Sequence, residues 1–387
     1  MSIRELTRHD WLDVNGLHRD VWWPERSLQG WAWLDRNPIH RAISAPLGWV
    51  VADADDKPAA FLGNFVQRFW QGEKIIHGAT GFSIVVPPAL KGRSRGLITR
   101  LLAQPHCTLF YTFNANPQAA PLYKLFGLSA WPAQGHDLKL SWIVRPLDCL
   151  ASRSLRFVVA HRPDLAPRLG ERLLPSASGR RDLTTAIKTQ LSPGVGLLSD
   201  FSDQSDYAEF WRALRAEGRL VADRGPSVMR WRLSDPDQTR PPVILAWRDR
   251  EGDIGGYALA HMSKGNSVEP ATLEIIDLCT LQTRPEAVRP LVESLRGAAR
   301  VLGAAKLRLQ VVHPWVKAAL GPLLASARQE GGWGHCHVRH GLAPDALEGW
   351  RATPYDGDYS FCLRPVPERR LRKSRPVDDK LGSAVRT

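Results

Sequence analysis

The sequence predicts an α/β protein in which a mixed sheet flanked by helices occurs twice along one chain. Three observations point there. Short apolar, β-branched runs alternate with segments of helical apolar spacing through residues 1–145. The same order of elements returns through roughly 194–365. Between them, Pro163, Pro167, Pro175, Ser176, Ser178 and Gly179 break the periodicity. A mixed, twisted sheet with helices on both faces is the simplest way to bury elements in that order. The expected units are residues 1–148 and 194–365, a linker over 149–193 with a helix or strand of its own, and a basic tail over 366–387.

The first half opens with a short strand at Ser2–Leu6 and a helix around Asp10–Val21. Gly48–Ala52 and Ala59–Val66 flank the polar Asp55-Asp56-Lys57, which reads as a hairpin. A long central strand runs from Ile75 to Val86 and stops at Pro87-Pro88, because proline has no N–H to give a sheet ladder. Leu97–Gln104 has the apolar spacing of a helix, and Thr108–Phe113 is a further strand. The second half repeats the plan. Val195–Leu198 precedes a helix over Asp203–Leu214, and Val243–Trp247 and Gly255–His261 flank Glu251-Gly252-Asp253. Ala271–Leu278 is its central strand, followed by a helix at Glu286–Leu302 and a strand at Lys306–Val312.

At 387 residues, 43% hydrophobic and 24% charged, the chain has the length for two ordinary cores and the composition of a soluble globular protein. Arg4, Glu5, Arg8 and Asp10 leave no apolar signal region at the start, and no apolar run reaches membrane-spanning length. The five cysteines, Cys107, Cys149, Cys279, Cys336 and Cys362, are odd in number and share no spacing, which argues against a disulfide framework or zinc ribbon. A reduced, cytoplasmic protein is expected. The net charge of +13 suits an anionic partner, yet the basic residues are mostly arginines spread along the chain. No zinc-finger spacing, RNP-type aromatic motif or heptad-flanked basic region makes nucleic acid the favoured partner. The run from Arg369 to Arg375 lacks apolar periodicity and reads as a disordered tail.

The chemistry concentrates in residues 84–128. Lys91-Gly92-Arg93-Ser94-Arg95-Gly96 stands between the central strand and a helix. A helix N-terminus behind small residues presents free backbone N–H groups and partial positive charge, and three cations beside it favour a pyrophosphate. Pro88, Lys91, Ser94 and Gly96 fall in the register of a proline, then Arg or Gln, two residues, Gly, one residue, and Gly or Ala. In that register Lys stands for Arg or Gln and Ser for the first Gly, while a shift to Arg93-Ser94-Arg95-Gly96 restores the first Gly but puts Ile98 where Gly or Ala belongs. Downstream, Asn116, Ala119 or Ala120, Leu122-Tyr123 and Gly127-Leu128 match a spacing of Asn, Ala, Leu-Tyr, Gly-Phe, with Leu128 in the Phe position. In this order the two motifs resemble the acyl-CoA-binding core of the GNAT N-acyltransferase superfamily, and the two halves together resemble a tandem GNAT protein.

That resemblance implies acetyl-CoA, or another acyl-CoA, as co-substrate, with the pantetheine arm between Ile84–Val86 and Leu109–Thr112. Val86, Lys91, Gly92, Arg93, Ser94, Arg95, Gly96 and Asn116 are the implied cofactor contacts. Tyr123 takes the position of the general acid that protonates the departing thiolate. No acidic residue stands on Ile75–Val86, where many relatives carry a basic glutamate, so His77 is the titratable candidate for the base, beside one acting through water. The second half has Arg284-Pro285-Glu286 where the glycine-rich turn belongs. Glu286 would repel a pyrophosphate, so only the first half is expected to hold CoA.

Other clusters have plainer readings. His335-Cys336-His337 with His340 has metal-ligating side chains, but strand alternation turns Cys336 away from the two histidines, and no metal is expected. Trp22, Trp23, Trp31 and Trp33 suit packing or an aromatic acceptor site. Asp356-Gly357-Asp358 near Trp350 reads as an acceptor-binding acidic turn or a type I′ turn. The leading function is transfer, in particular of acetyl, to a primary amine of a small molecule or amino sugar. The alternatives are a Fem-type aminoacyl transferase drawing on aminoacyl-tRNA, and a non-catalytic GNAT-like binding module.

Overall fold

The computed structural model describes residues 1–20, 23–115, 119–132, 135–161, 166–174, 183–331, 335–343 and 345–365. Its first half runs β1 (Ile3–Glu5), α1 (Trp11–Asp20), α2 (Leu28–Asp35), α3 (Pro38–Ala42), β2 (Gly48–Ala52), β3 (Pro58–Gln71) and β4 (Lys74–Val85). It continues with α4 (Arg93–Leu102), β5 (Leu109–Ala115), α5 (Ala120–Leu125), β6 (Ser129–Ala130) and β7 (Lys139–Ile143). Three helices, α6 (Pro146–His161), α7 (Ala166–Leu173) and α8 (Leu183–Lys188), occupy the connecting stretch. The second half comprises β8 (Val195–Leu197), α9 (Asp206–Ala216), β9 (Leu220–Ala222), α10 (Pro226–Leu233), β10 (Val243–Arg248), β11 (Ile254–Ser263) and β12 (Thr272–Thr280). After these come α11 (Val288–Leu302), β13 (Lys306–Gln310), α12 (Pro314–Ala319), β14 (Arg328–Glu330), β15 (His335–His340) and α13 (Tyr359–Cys362).

The expected strands and the longer helices lie within a few residues of their predicted places, with two informative differences. β3 does not stop at Val66 but runs on through Gln71, because Gln67–Gln71 pair with Lys74–Gly78 across a tight turn at Gly72, whose φ of +59° suits glycine. The outer edge of that extension is taken by β9, so a strand of the second half joins the first sheet. The second difference is at α4, which begins at Arg93 rather than Leu97.

The first sheet has the order β1-β2-β3-β4-β5-β15-β6 and the second β14-β7-β13-β12-β11-β10-β8. Aligned strand by strand, β7 takes in the second sheet the place that β15 takes in the first. Each half has therefore given one antiparallel strand to the other. β7 lies between β13 and β14, and β15 between β5 and β6. The exchange is anchored by burial. Leu140 and Trp142 of β7 sit in the core of the second sheet with Leu291 and Leu295 of α11, while Cys336 and Val338 of β15 pack with Tyr111 and Phe113 of β5. The exchange covers β5 of the first sheet and β13 of the second with a strand from the opposite half, which fuses the two.

Each sheet contains one parallel pair at its centre, and each pair parts. β4 and β5 are matched only over Gly78–Thr80 with Leu109–Tyr111, and β12 and β13 over Thr272–Ile275 with Lys306–Leu309. In both sheets the strand before the gap also carries a register shift against its antiparallel neighbour, between Phe61 and Gly63 for β4 and between Leu259 and Ala260 for β12. At the β4 irregularity Ser83 adopts φ +51°, which reorients the backbone beside the gap.

Candidate functional site

The N-terminus of α4 lies just past the end of β4. Gly92 is its N-cap, left-handed at φ +96°, and no side chain caps the first-turn amides. Nothing lies within 4 Å of where a Cβ at Gly92 would be. Lys91, Gly92, Arg93 and Arg95 are exposed, with Ser94 partly so. Uncapped N–H groups, the helix dipole and three cations make this end of α4 suited to an anion. The earlier start of the helix changes the roles of the motif's residues: Ser94, Arg95 and Gly96 belong to its first turn. Gly96 is a packing residue, since a Cβ there would come 2.5 Å from Ile3 Cδ1. Leu97, Ile98 and Leu101 bury the opposite face against the sheet.

Behind that helix end the parted strands form a cleft. Val86, just past β4, is half-buried. Thr80, the last matched residue of β4, is buried and its Oγ1 has no hydrogen-bond partner. Across the gap, the second half of α5 carries Tyr123, which is buried. Burial raises the phenol pKa above its ordinary value, and the nearby negative charge of Asp358 adds to the shift, while a side-chain interaction with Thr112 of β5 opposes it. Tyr123 therefore keeps its proton at neutral pH.

The far side of the gap is crossed by the chain's C-terminal segment. Tyr111 of β5 donates its hydroxyl hydrogen to the Asp356 carbonyl at 2.6 Å, and Gln67 of β3 donates to the same oxygen at 2.6 Å. Gly357 lies so close to Phe113 of β5 that a Cβ would meet its ring at 2.8 Å. Phe361 then packs edge-on to Phe65 at 4.8 Å and against Phe82 of β4 at 5.8 Å. Residues 356–361 thus span from β5 to β4, with buried Asp358 between. The acidic Asp356-Gly357-Asp358 turn was visible in the sequence, but nothing local to it signals that the charge of Asp358 acts on Tyr123.

Other expected residues are not brought together. His77 lies beside Arg68 and His106, at the C-terminal end of α4, whereas the glycine turn is at the N-terminal end of that helix. Burial and the charges of Arg68 and His106 lower its pKa. Alternation along a central strand could not say that His77 and the glycine turn lie toward opposite ends of α4. Asn116 falls outside the described residues, as does Trp22. Trp31 and Trp33 are core residues, Trp33 stacked on Trp231 of α10 at 4.5 Å. His335 and His337 share one face with ring centroids 6.4 Å apart, while Cys336 points to the Phe113 carbonyl. His136 joins the two histidines, at 5.6 and 6.2 Å. Among the described residues no group of three His, Cys, Asp or Glu is arranged to hold a metal ion.

In the second half the place of the glycine turn is different in kind. Arg284 is engaged with Asp249 at 3.0 Å, and Glu286 lines the adjoining groove with Arg248 and Trp247. A carboxylate thus already holds the cation.

Comparison with solved structures fits this architecture. The chain is similar to a GCN5-related N-acetyltransferase from Anabaena variabilis, at 13% identity and TM-score 0.50 over 90% of this chain and 74% of that one. It is similar also to N-myristoyltransferase of Saccharomyces cerevisiae, solved with bound myristoyl-CoA and inhibitors, at 10% identity and TM-score 0.52 over 95% of this chain and 86% of that one. The chain has the GNAT fold. No protein-family model matches it, and no curated protein does. In GNAT-fold terms, each of its two sheets carries the parted central pair, and the described first half alone adds an uncapped, glycine-led helix to it. No helix among the described residues is long and apolar enough to cross a membrane.

Proposed function

We propose that this protein is an acyl-CoA-dependent N-acyltransferase whose first half holds the donor and whose acceptor is a primary amine of a small molecule or amino sugar. The observation that carries the reading is the α4 N-terminus: a left-handed Gly92, no side-chain cap, and exposed Lys91, Arg93 and Arg95, at the mouth of a gap between parallel strands. The helix end would hold the pyrophosphate, and the pantetheine arm would follow the gap past Val86 toward Thr80. The orphaned Thr80 hydroxyl supports a polar ligand there, since a buried hydroxyl left without a partner is destabilising.

The amine attacks the thioester carbonyl carbon, and backbone N–H groups released at the β4 irregularity are suited to the oxyanion that develops. The carbon–sulfur bond then breaks. Tyr123, protonated at neutral pH, gives its proton to the leaving thiolate, with the Thr112 interaction favouring the phenolate left behind, and the proton that the attacking nitrogen sheds passes through water to restore the phenol. Acetyl is the proposed acyl group, and longer chains are compared in the same assay.

Binding is the first test. Acetyl-CoA or free CoA at 100 times Kd is expected to stabilise the native state by about 2.7 kcal/mol, read as a rise in melting temperature. A folded protein whose melting is unmoved by millimolar CoA removes this reading, and leaves aminoacyl transfer or a non-catalytic module.

A further inference from the structure

Resting on the reading above, we infer that a cavity walled by Arg232, His261 and Gln238 binds a carboxylate of the acceptor, so that the preferred acceptors are amines that also carry a carboxylate. The cavity measures about 30 Å³. A water needs roughly 10–15 Å³ of such space, so about two water-sized groups fit, which is the size of a carboxylate head. Its walls come from three places. Arg232 belongs to α10 and Gln238 to the turn after it, His261 to β11, and Tyr355, Ser360 and Phe361 to the segment that crosses the first cleft.

Arg232 is a cation without a counter-ion. Its guanidinium carbon lies 4.1 Å from the centre of the Tyr355 ring and 4.7 Å from that of Phe65, and Nη2 donates to the Tyr355 carbonyl at 2.8 Å. Among the described residues Nη1 meets no acceptor, and Nε is buried with no partner. The carboxylate in the wall, Asp235, is already engaged by Arg26 at 2.7 Å and by the Asp237 N–H at 3.0 Å. Aromatic faces on a guanidinium fix its plane, and a fixed planar fork is suited to a carboxylate. His261 adds a second donor. Neither of its ring nitrogens has a hydrogen-bond partner among the described residues, and burial lowers its pKa to about 4, so the ring is neutral with one N–H at pH 7. The Gln238 amide and the Ser360 hydroxyl supply further polar groups to the same space. Phe361, which closes one side, packs against Phe82 of β4 at 5.8 Å, so the cavity backs onto a strand that borders the donor gap. An acceptor seated here by its carboxylate extends its amine along residues 356–361 toward that gap.

The test compares acceptors that differ by one anionic group. Thiol release from acetyl-CoA is measured with β-alanine against propylamine, γ-aminobutyrate against butylamine, and phosphoethanolamine against ethanolamine. In wild type the carboxylate member of a pair is expected to have a KM lower by about tenfold or more, the scale of one charge-assisted hydrogen bond. Arg232→Met should abolish that difference and leave the CoA-induced melting shift as it is. Equal KM values within both carboxylate pairs, or a preference that survives in Arg232→Met, overturn the assignment of the cavity. A preference for phosphoethanolamine alone overturns carboxylate as its ligand. Should the Met variant not fold, His261→Leu takes its place: this imidazole holds no protein hydrogen bond, so stability should persist while the carboxylate preference shrinks. An unchanged preference there overturns the assignment too. A wild-type protein with neither a CoA shift nor turnover on any amine overturns the donor reading instead, and the cavity is then read by melting. γ-Aminobutyrate must raise the wild-type melting temperature more than butylamine does, and equal effects overturn the cavity as well.

Discussion

The guanidinium of Arg224 donates to both oxygens of Asp277, from Nε at 2.8 Å and Nη2 at 2.9 Å, with both side chains almost wholly buried. Nη2 also reaches Asp356 at 2.6 Å, and the Thr353 hydroxyl donates to Asp277 at 2.7 Å. Tyr257 adds its hydroxyl to the same carboxylate. The corner before α10, strand β12 and the segment that crosses the first cleft are thus tied by one charged cluster. In this surrounding, burial is the largest influence on Asp356 and raises its pKa, with Arg224 opposing.

Arg224→Met follows directly. It leaves two carboxylates buried without their cation, and breaking such a pair costs about 3–5 kcal/mol. A fall of that size in the unfolding free energy from urea melts is expected, together with loss of turnover through the misplaced segment. A variant as stable as wild type would show that the cluster contributes little and that something else positions residues 353–358.

Acid sensitivity has named sources. His18 and His40 are buried, and burial lowers the pKa of each to about 4, with the charge of Arg26 a further cause at His18. The folded value lies below the unfolded value of about 6.5, so between these limits the unfolded chain binds more protons and stability rises with pH. Going from pH 7 to pH 5 is expected to remove roughly 1–2 kcal/mol per histidine. His40 Nε2 accepts the Val66 N–H at 2.8 Å, a bond that protonation destroys. His40→Gln keeps an acceptor that does not titrate, so its urea midpoint should depend less steeply on pH. An unchanged slope would place the titration elsewhere.

Much of this molecule was legible in the sequence, and the limits have physical causes. Alternation and proline punctuation located β2, β4, β10 and β12, because a strand's burial pattern is a local property. The strand exchange was not legible, since Leu140 and Trp142 announce a buried face but not the sheet that buries it. Gly92 and Gly96 looked alike as motif glycines, yet one answers to a left-handed backbone and the other to the Ile3 side chain, which is a tertiary neighbour. Tyr123 was singled out by its spacing in the downstream motif. Its companions Thr112 and Asp358 come from other elements, one of them from the far half, and no local pattern records such a meeting.

Division of labour between the halves is tested by two charge reversals. Arg93 is exposed at the uncapped turn of α4, so Arg93→Glu puts a carboxylate beside the proposed pyrophosphate. CoA affinity is expected to fall by at least about tenfold, or 1.4 kcal/mol. Arg284 is held by Asp249, and Arg284→Glu should leave the CoA titration as it is in wild type, with only a modest effect on stability from the lost surface pair. Equal losses of affinity in the two variants would indicate a donor site in each half.

Tyr123→Phe isolates the phenol hydroxyl, because the ring keeps its place in the core cluster that also holds Leu97 and Leu101 of α4. If the hydroxyl protonates the thiolate, its loss matters only as charge develops on sulfur, so turnover should fall by about 10²–10⁴-fold while CoA affinity stays near wild type. Burial and the neighbouring Asp358 keep the phenol protonated well beyond neutrality, so the wild-type rate should show no loss attributable to Tyr123 ionisation between pH 7 and pH 9. A structural role makes the opposite forecast. The Thr112 hydroxyl would then lose a buried partner, at a stability cost of about 1–3 kcal/mol, with turnover of the folded fraction preserved. Measuring thiol release and urea stability on the same preparation distinguishes the two, and wild-type turnover by the Phe variant on any accepted amine removes Tyr123 from the mechanism.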